Sequence, residues 1–204
     1  MAGIGLYGVY YAKATVTGGA VTAYGEMSMM GKAISAEFEP NNPDENNLYA
    51  NNAIAETDAS GASGGTLTLT LDRLTNEVAA DLYGITTEEV NVTVSETPVQ
   101  GTKIARTGNE VSAPVGVAFI KWNQEDNNRE HYQAVIYRRV TFAMPTESAE
   151  TLGESIEWQT PEIEGTVVGK EGDGTKAWYE CVEFPSQEAA IQYITNYFAD
   201  TKQE

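Results

Sequence analysis

The sequence predicts a mainly β fold, a β-sandwich or barrel with one or two flanking α-helices, and three observations carry that prediction. Alternation with period two dominates the chain. Ile34, Ala36 and Phe38 alternate with Ala33, Ser35 and Glu37, and Leu67, Leu69 and Leu71 alternate with Thr66, Thr68 and Thr70, so each run has one face for a core. Helical periodicity is confined to two stretches, one opening near Thr75 and one near the C-terminus. Strands and helices do not alternate, which argues against a parallel βαβ sheet. With no internal repeat and no domain-length linker, the 204 residues are expected to form a single domain, 1–204.

Taken in order, a Tyr-rich strand is expected over residues 5–16, turned by Gly18-Gly19, with Tyr24 on its return. From Lys32 to Gly84 the pattern reads strand, Asn-rich loop, strand, Gly-rich loop, strand and helix. The long connection at about 40–65 is rich in Asn, Pro, Gly and Ser and poor in apolar surface; connections of that length are usually functional, disordered or ordered by a partner. The helix starts at an N-cap, Thr75, carries Val78 and Leu82 one turn apart, and stops at Gly84. Further strands are expected at 90–95, 115–122, 131–144, 155–168 and 175–184. An amphipathic helix at about 186–199, capped by Ser186, aligns Ala190, Ile191, Ile194, Tyr197 and Phe198 on one face.

Twelve Lys and Arg against thirty Asp and Glu give a net charge of −18, which repels nucleic acid and argues against ordinary DNA binding. An acidic surface also keeps an abundant protein in solution. The lone Cys181 excludes an intrachain disulfide and zinc sites built on Cys pairs; it is expected as a small core residue. No basic n-region opens the sequence and no long apolar run follows, so synthesis in the cytoplasm as a soluble protein, without a membrane, is expected.

No motif carries catalysis, a cofactor or a metal. Gly3, Gly5 and Gly8 spell GxGxxG, but a dinucleotide site needs a strand before and a helix after, and here Tyr-rich strand formers follow; the glycines suit a flexible N-terminal arm. His131 is the single imidazole and has no evident nucleophile or orienting acid, so an exposed or hydrogen-bonded role is expected. The acidic and Asn-rich stretches at 44–47 and 125–128 lack EF-hand spacing.

Two features concern surfaces. Ile156 and Trp158 are apolar at even positions, whereas Ile163 and Val167 are apolar at odd ones, so the phase flips near Thr160-Pro161 and a bulge or corner is expected. Glu157, Glu162 and Glu164 then share the opposite face as an acidic stripe, which would line a lumen in a ring or simply face solvent. Arg138 interrupts a face that reads Tyr132, Ala134, Ile136, Val140, Phe142 and Met144. Its charge must reach water along a snorkelling stem, pair within the chain, or meet a carboxylate of another subunit.

Four phrases in order, Gly31-Lys-Ala-Ile-Ser-Ala-Glu, Leu48-Tyr-Ala-Asn-Asn-Ala-Ile-Ala-Glu, Gly65-Thr-Leu-Thr-Leu and Glu77-Val-Ala-Ala-Asp-Leu-Tyr-Gly, resemble the major tail (tail tube) proteins of long-tailed bacteriophages, siphovirus type. Tyr137-Arg-Arg-Val-Thr-Phe-Ala-Met-Pro, Gln159-Thr-Pro-Glu-Ile-Glu-Gly-Thr and Ile194-Thr-Asn-Tyr-Phe extend the resemblance over roughly the whole chain. It departs where such proteins often carry Asp, since Asn51 and Asn52 stand here. The resemblance implies a structural virion protein of the tail, made in the bacterial cytoplasm and assembled as stacked hexameric rings. DNA passes through such a conduit without specific binding, and a tape measure and a tail terminator are further partners. It also implies that the 41–63 connection, with Asn41, Asn42, Asp44, Asn47, Asn51 and Asn52, reaches a neighbouring subunit or ring, and in a self-assembling protein Arg138 is a candidate inter-subunit charge beside the intrachain alternatives. The rival from another class is a carbohydrate-binding or adhesin-like β-sandwich presenting Trp122, Trp158 or Trp178.

Overall fold

The computed structural model describes residues 2–41, 46–50, 53–58, 63–125, 129–147, 151, 158–172, 174 and 176–200. Within them the chain is mainly β, with thirteen strands and two helices. The strands are β1 (Ala2–Thr17), β2 (Ala20–Tyr24), β3 (Ser28–Gly31), β4 (Ala33–Pro40), β5 (Asn46–Ala50), β6 (Ala53–Asp58), β7 (Gly64–Leu71), β8 (Thr86–Val94), β9 (Thr97–Ala105), β10 (Val115–Gln124), β11 (Glu130–Phe142), β12 (Glu162–Val168) and β13 (Tyr179–Phe184). Helix α1 (Asn76–Tyr83) follows β7, and α2 (Gln187–Asp200) follows β13.

Nine strands join one antiparallel sheet in the order β2-β1-β10-β11-β12-β7-β4, with β3 also on β1 and β13 also on β11. The pivot is β11. One of its edges pairs with β10, while the other is divided between β13 (Tyr132 to Tyr137) and β12 (Val140 to Phe142). At the division Val117 pairs with Tyr137 but Val115 pairs with Val140, so Arg138 and Arg139 stand opposite Gly116. This bulge exchanges the faces of β11. Val135 and Tyr137 before it, and Val140 and Phe142 after it, all reach the same core, with Val9, Leu67, Leu69, Leu71, Phe119 and Ile163. The face expected to run unbroken from Tyr132 to Met144 is therefore two faces, and Met144 is exposed.

A second apolar layer lies on the other side. Ala118, Ile120, Ala134 and Ile136 meet Ala190, Ile194 and Phe198 of α2, with Tyr24 beside them. Phe198 and Tyr24 pack edge to face with ring centroids 5.0 Å apart. Gly116 makes room for this pair, since a Cβ there would stand 2.6 Å from the Phe198 ring and 2.7 Å from that of Tyr24. The Ser186 hydroxyl accepts from Ala189 N–H at 3.3 Å at the start of α2. Helix α1 closes the main core with Val78, Ala79, Ala80, Leu82 and Tyr83. Thr75 accepts from Val78 N–H at 3.3 Å, and Gly84 ends the helix at φ 65°. A Cβ on Gly84 would also stand 2.3 Å from the Val111 carbonyl oxygen, so two constraints coincide there.

Several expectations change. Gly3 and Gly5 lie in β1, paired with Asn123 and Trp122, in place of a loose arm. A register shift between Ala33 and Ser35 turns Ile34 outward, so Ala33, not Ile34, joins Ala36 and Phe38 against the core. Cys181 is exposed on β13, which pairs along a single edge. Residues 158–161 form no strand: β12 begins only after Pro161, whose carbonyl accepts from Leu71 N–H at 3.0 Å, and Trp158 is 86% exposed. Ile156 lies outside the described residues.

Candidate assembly surfaces

The acidic face is built by register. Glu162, Thr70 and Ser35 form one row across β12, β7 and β4; Glu164, Thr68 and Glu37 form the next; Thr166, Thr66 and Glu39 form a third. Because Ile163 and Val167 enter the core, their neighbours Glu162 and Glu164 must point away from it, and both are exposed. Glu37 and Glu39 are exposed as well, and the Ser35 hydroxyl donates to that of Thr70 at 2.8 Å. None of these three strands contains Lys or Arg. Carboxylates on β4 and β12 are two strand spacings apart, about 9.5 Å, which exceeds the Debye length of about 8 Å at physiological ionic strength. Their repulsion is therefore largely screened while the face is open to solvent. Glu157 lies outside the described residues.

Two ribbons stand apart from the main sheet: β5 with β6, and β8 with β9. Among the described residues neither pairs with any further strand. The first falls in the long connection, which thus holds strand structure of its own. Asn41 lies at its foot, its N–H donating to the Gly64 carbonyl at 2.8 Å, and Asn47 is opposite Thr57 in β5–β6. Asn42, Asp44, Asn51 and Asn52 lie outside the described residues.

The second ribbon was only half visible in the sequence, as a strand at 90–95. Its turn is Ser95-Glu96, both with positive φ (48° and 65°), between the paired Val94 and Thr97. Two residues at positive φ suit a tight hairpin, but Asn-Gly is the usual signal for one, and it is absent. Val92 and Val99 face each other across the ribbon at 57% and 48% exposure, and Val94 is 58% exposed on the same side. Near the base, Lys103 pairs with Glu88 at 2.9 Å, and the Asn76 amide of α1 donates to the Thr102 carbonyl at 3.0 Å.

Arg138 is paired within the chain. Its Nε donates to Glu171 Oε2 at 3.0 Å and a terminal nitrogen donates to the Val21 carbonyl at 3.0 Å. Val21 N–H donates to the same Glu171 oxygen at 3.2 Å, and the Tyr24 hydroxyl donates to the Arg138 carbonyl at 2.6 Å. Both charged residues are buried. The bulge turns Arg138 toward the β1–β2 hairpin, where an intrachain carboxylate satisfies it. Sequence reasoning missed Glu171, since nothing distinguishes one acid among thirty. His131 is held between acids, with Nδ1 2.8 Å from Glu183 and Nε2 3.3 Å from Glu125. A neutral imidazole has one N–H and can donate to only one of them.

Among the described residues no cluster of three or more His, Cys, Asp or Glu could hold a metal ion, and no helix is long and apolar enough to cross a membrane. No family model and no curated protein matches the chain.

Proposed function

We propose that this chain is a structural subunit of a phage tail tube, which joins copies of itself into stacked rings around a conduit for viral DNA. The observation that carries the reading is the pair of two-stranded ribbons whose outer edges, among the described residues, have no strand beside them. An isolated hairpin is marginal in water, and unpaired N–H and C=O groups along an edge are a template for another chain. The β8–β9 ribbon adds exposed Val92, Val94 and Val99, apolar surface that association would cover. The ordered phrases of the sequence, the mainly β architecture and the acidic face with Glu162 and Glu164 support the same reading. Phosphates sliding past carboxylates release no counterions and gain no hold.

In this reading the protein has no catalytic residue and no cofactor, and its partners are further copies and other tail proteins. Head-to-tail contacts close in one direction and stay open in the other, which yields a tube. The acidic face is the wall of the bore, and the 41–63 connection spans to the next subunit. A carbohydrate-binding module is favoured by one observation, the exposure of Trp158; Trp122 and Trp178 are half-buried, Trp122 stacked on Tyr132 at 6.4 Å. Negative-stain microscopy of the purified protein over rising concentration tests the proposal. Rings or tubes are expected, whereas a dispersed monomer that binds a glycan array would transfer the assignment to the rival.

A further inference from the structure

His131 sits between two strands and two acids, and its surroundings satisfy only one of its ring nitrogens. It stands opposite Asn123 of β10, and two residues further on Gln133 pairs with Glu183 of β13. The His131 side chain is 13% exposed. Nδ1 is 2.8 Å from a Glu183 oxygen, so that nitrogen carries the hydrogen and donates. Nε2 is then the acceptor of a neutral ring. It is buried without a hydrogen-bond partner, and a Glu125 oxygen stands 3.3 Å away. Two acceptors thus face each other across a contact that neither can satisfy, which is unfavourable for a nitrogen withdrawn from water. A proton on Nε2 would turn the same contact into a charge-assisted hydrogen bond.

The alternation of side chains places Lys121, Glu125, Arg129 and Glu183 on the face that His131 shares. Lys121 is turned to the Phe119 ring, 5.9 Å from its centroid, and the second Glu183 oxygen accepts from the Gln133 amide at 3.4 Å. Glu130 lies on the other face and accepts from the Tyr132 hydroxyl at 2.8 Å. Strand β1 reaches this end with Gly3, which brings no charge. The Glu125 N–H donates to the Arg129 carbonyl at 2.9 Å, a backbone link across the β10–β11 connection. Glu183 stands three residues before Ser186, the cap of α2. We infer that His131 is a proton-operated clasp. Charged, it holds Glu125 and Glu183 at once and ties the β10–β11 connection to the end of β13; neutral, it keeps Glu183, the shorter contact, and releases Glu125. The clasp does not depend on the self-assembly reading.

The chain holds a single imidazole, so its ring signals in NMR belong to His131 alone. The test follows those signals in the full chain together with amide exchange at Glu125, whose N–H makes the link to Arg129, with α1 as the internal reference. Between about pH 8 and about pH 5, where an imidazole changes charge, the ring is expected to titrate. The Glu125 amide should become on the order of tenfold better protected relative to α1, with the same midpoint as the ring. His131→Asn removes the titrating group and is expected to abolish the step. Glu125→Gln discriminates further, because its side-chain amide can donate to a neutral Nε2; the clasp should then stay closed, with equal protection at both ends of the range. Circular dichroism checks that both variants fold. A ring that keeps one charge state over this range overturns the inference, as does a Glu125 amide that ignores the titration. A step that survives in His131→Asn overturns it in favour of the carboxylates, and an unaltered step in Glu125→Gln shows that Glu125 is not the group released.

Discussion

Arg138 illustrates how a charge becomes structural at the level of single residues. Its guanidinium and the Glu171 carboxylate are both withdrawn from water, and their mutual hydrogen bonds also engage both backbone groups of Val21. The attraction of such a pair roughly offsets its desolvation, but removing one partner strands the other charge in a medium of low dielectric. Arg138→Met is therefore expected to lower the unfolding free energy by about 3–5 kcal/mol in denaturant titration. Arg138→Met combined with Glu171→Gln should be less destabilised than Arg138→Met alone, because the amide keeps an acceptor for Val21 N–H and brings no charge. A double variant equal to the single one would mean that packing, not the stranded charge, sets the loss.

Among the elements, the β8–β9 ribbon depends most on its turn. Ser95 and Glu96 both occupy the left-handed region, which costs a residue with a Cβ roughly 1–2 kcal/mol. Glu96→Gly should relieve about 1 kcal/mol of this, seen as slower amide exchange in β8 and β9 with that of α1 unchanged. Unaltered exchange in the ribbon would show that its stability is set elsewhere. The same ribbon marks the limit of what the sequence reveals. Both helices were legible because Thr75, Gly84 and Ser186 punctuate strongly periodic stretches, and β7 and β12 were legible because a core fixes their phase. Strand β9 has no buried face and only Ile104 half-covered, so no alternation was imprinted on it. Ile34 was misread for a related reason, since it sits at a register irregularity where parity alone assigns the wrong face, and the irregularity at Arg138–Arg139 likewise separates Val140 and Phe142 from Ala134 and Ile136, with which parity groups them. The exposed side of Glu162 and Glu164 followed from Ile163 and Val167, whereas the partner of Arg138 lies 33 residues away and is fixed only by tertiary structure.

At the scale of the whole molecule, a net charge of −18 sets how copies approach one another. Like-charged subunits repel over the Debye length, about 30 Å at 0.01 M salt and about 8 Å at 0.15 M. If the chain assembles as proposed, sedimentation should find a lower threshold concentration at the higher salt. Neutralising Glu37, Glu39, Glu162 and Glu164 together as Gln should lower the threshold mainly at low salt. A threshold that rises with salt would instead mean that intermolecular ion pairs hold the assembly. The bulge in β11 has a consequence for how such a chain can vary. Because the strand changes sides at Arg138–Arg139, it floors two compartments at once, and losing one residue between His131 and Tyr137 would exchange the side chains that Val135 and Tyr137 give to the main core with those that Ala134 and Ile136 give to the layer under α2, leaving each with the wrong volumes. Length there can drift only in steps of two, so divergence in size is steered to the hairpin tips.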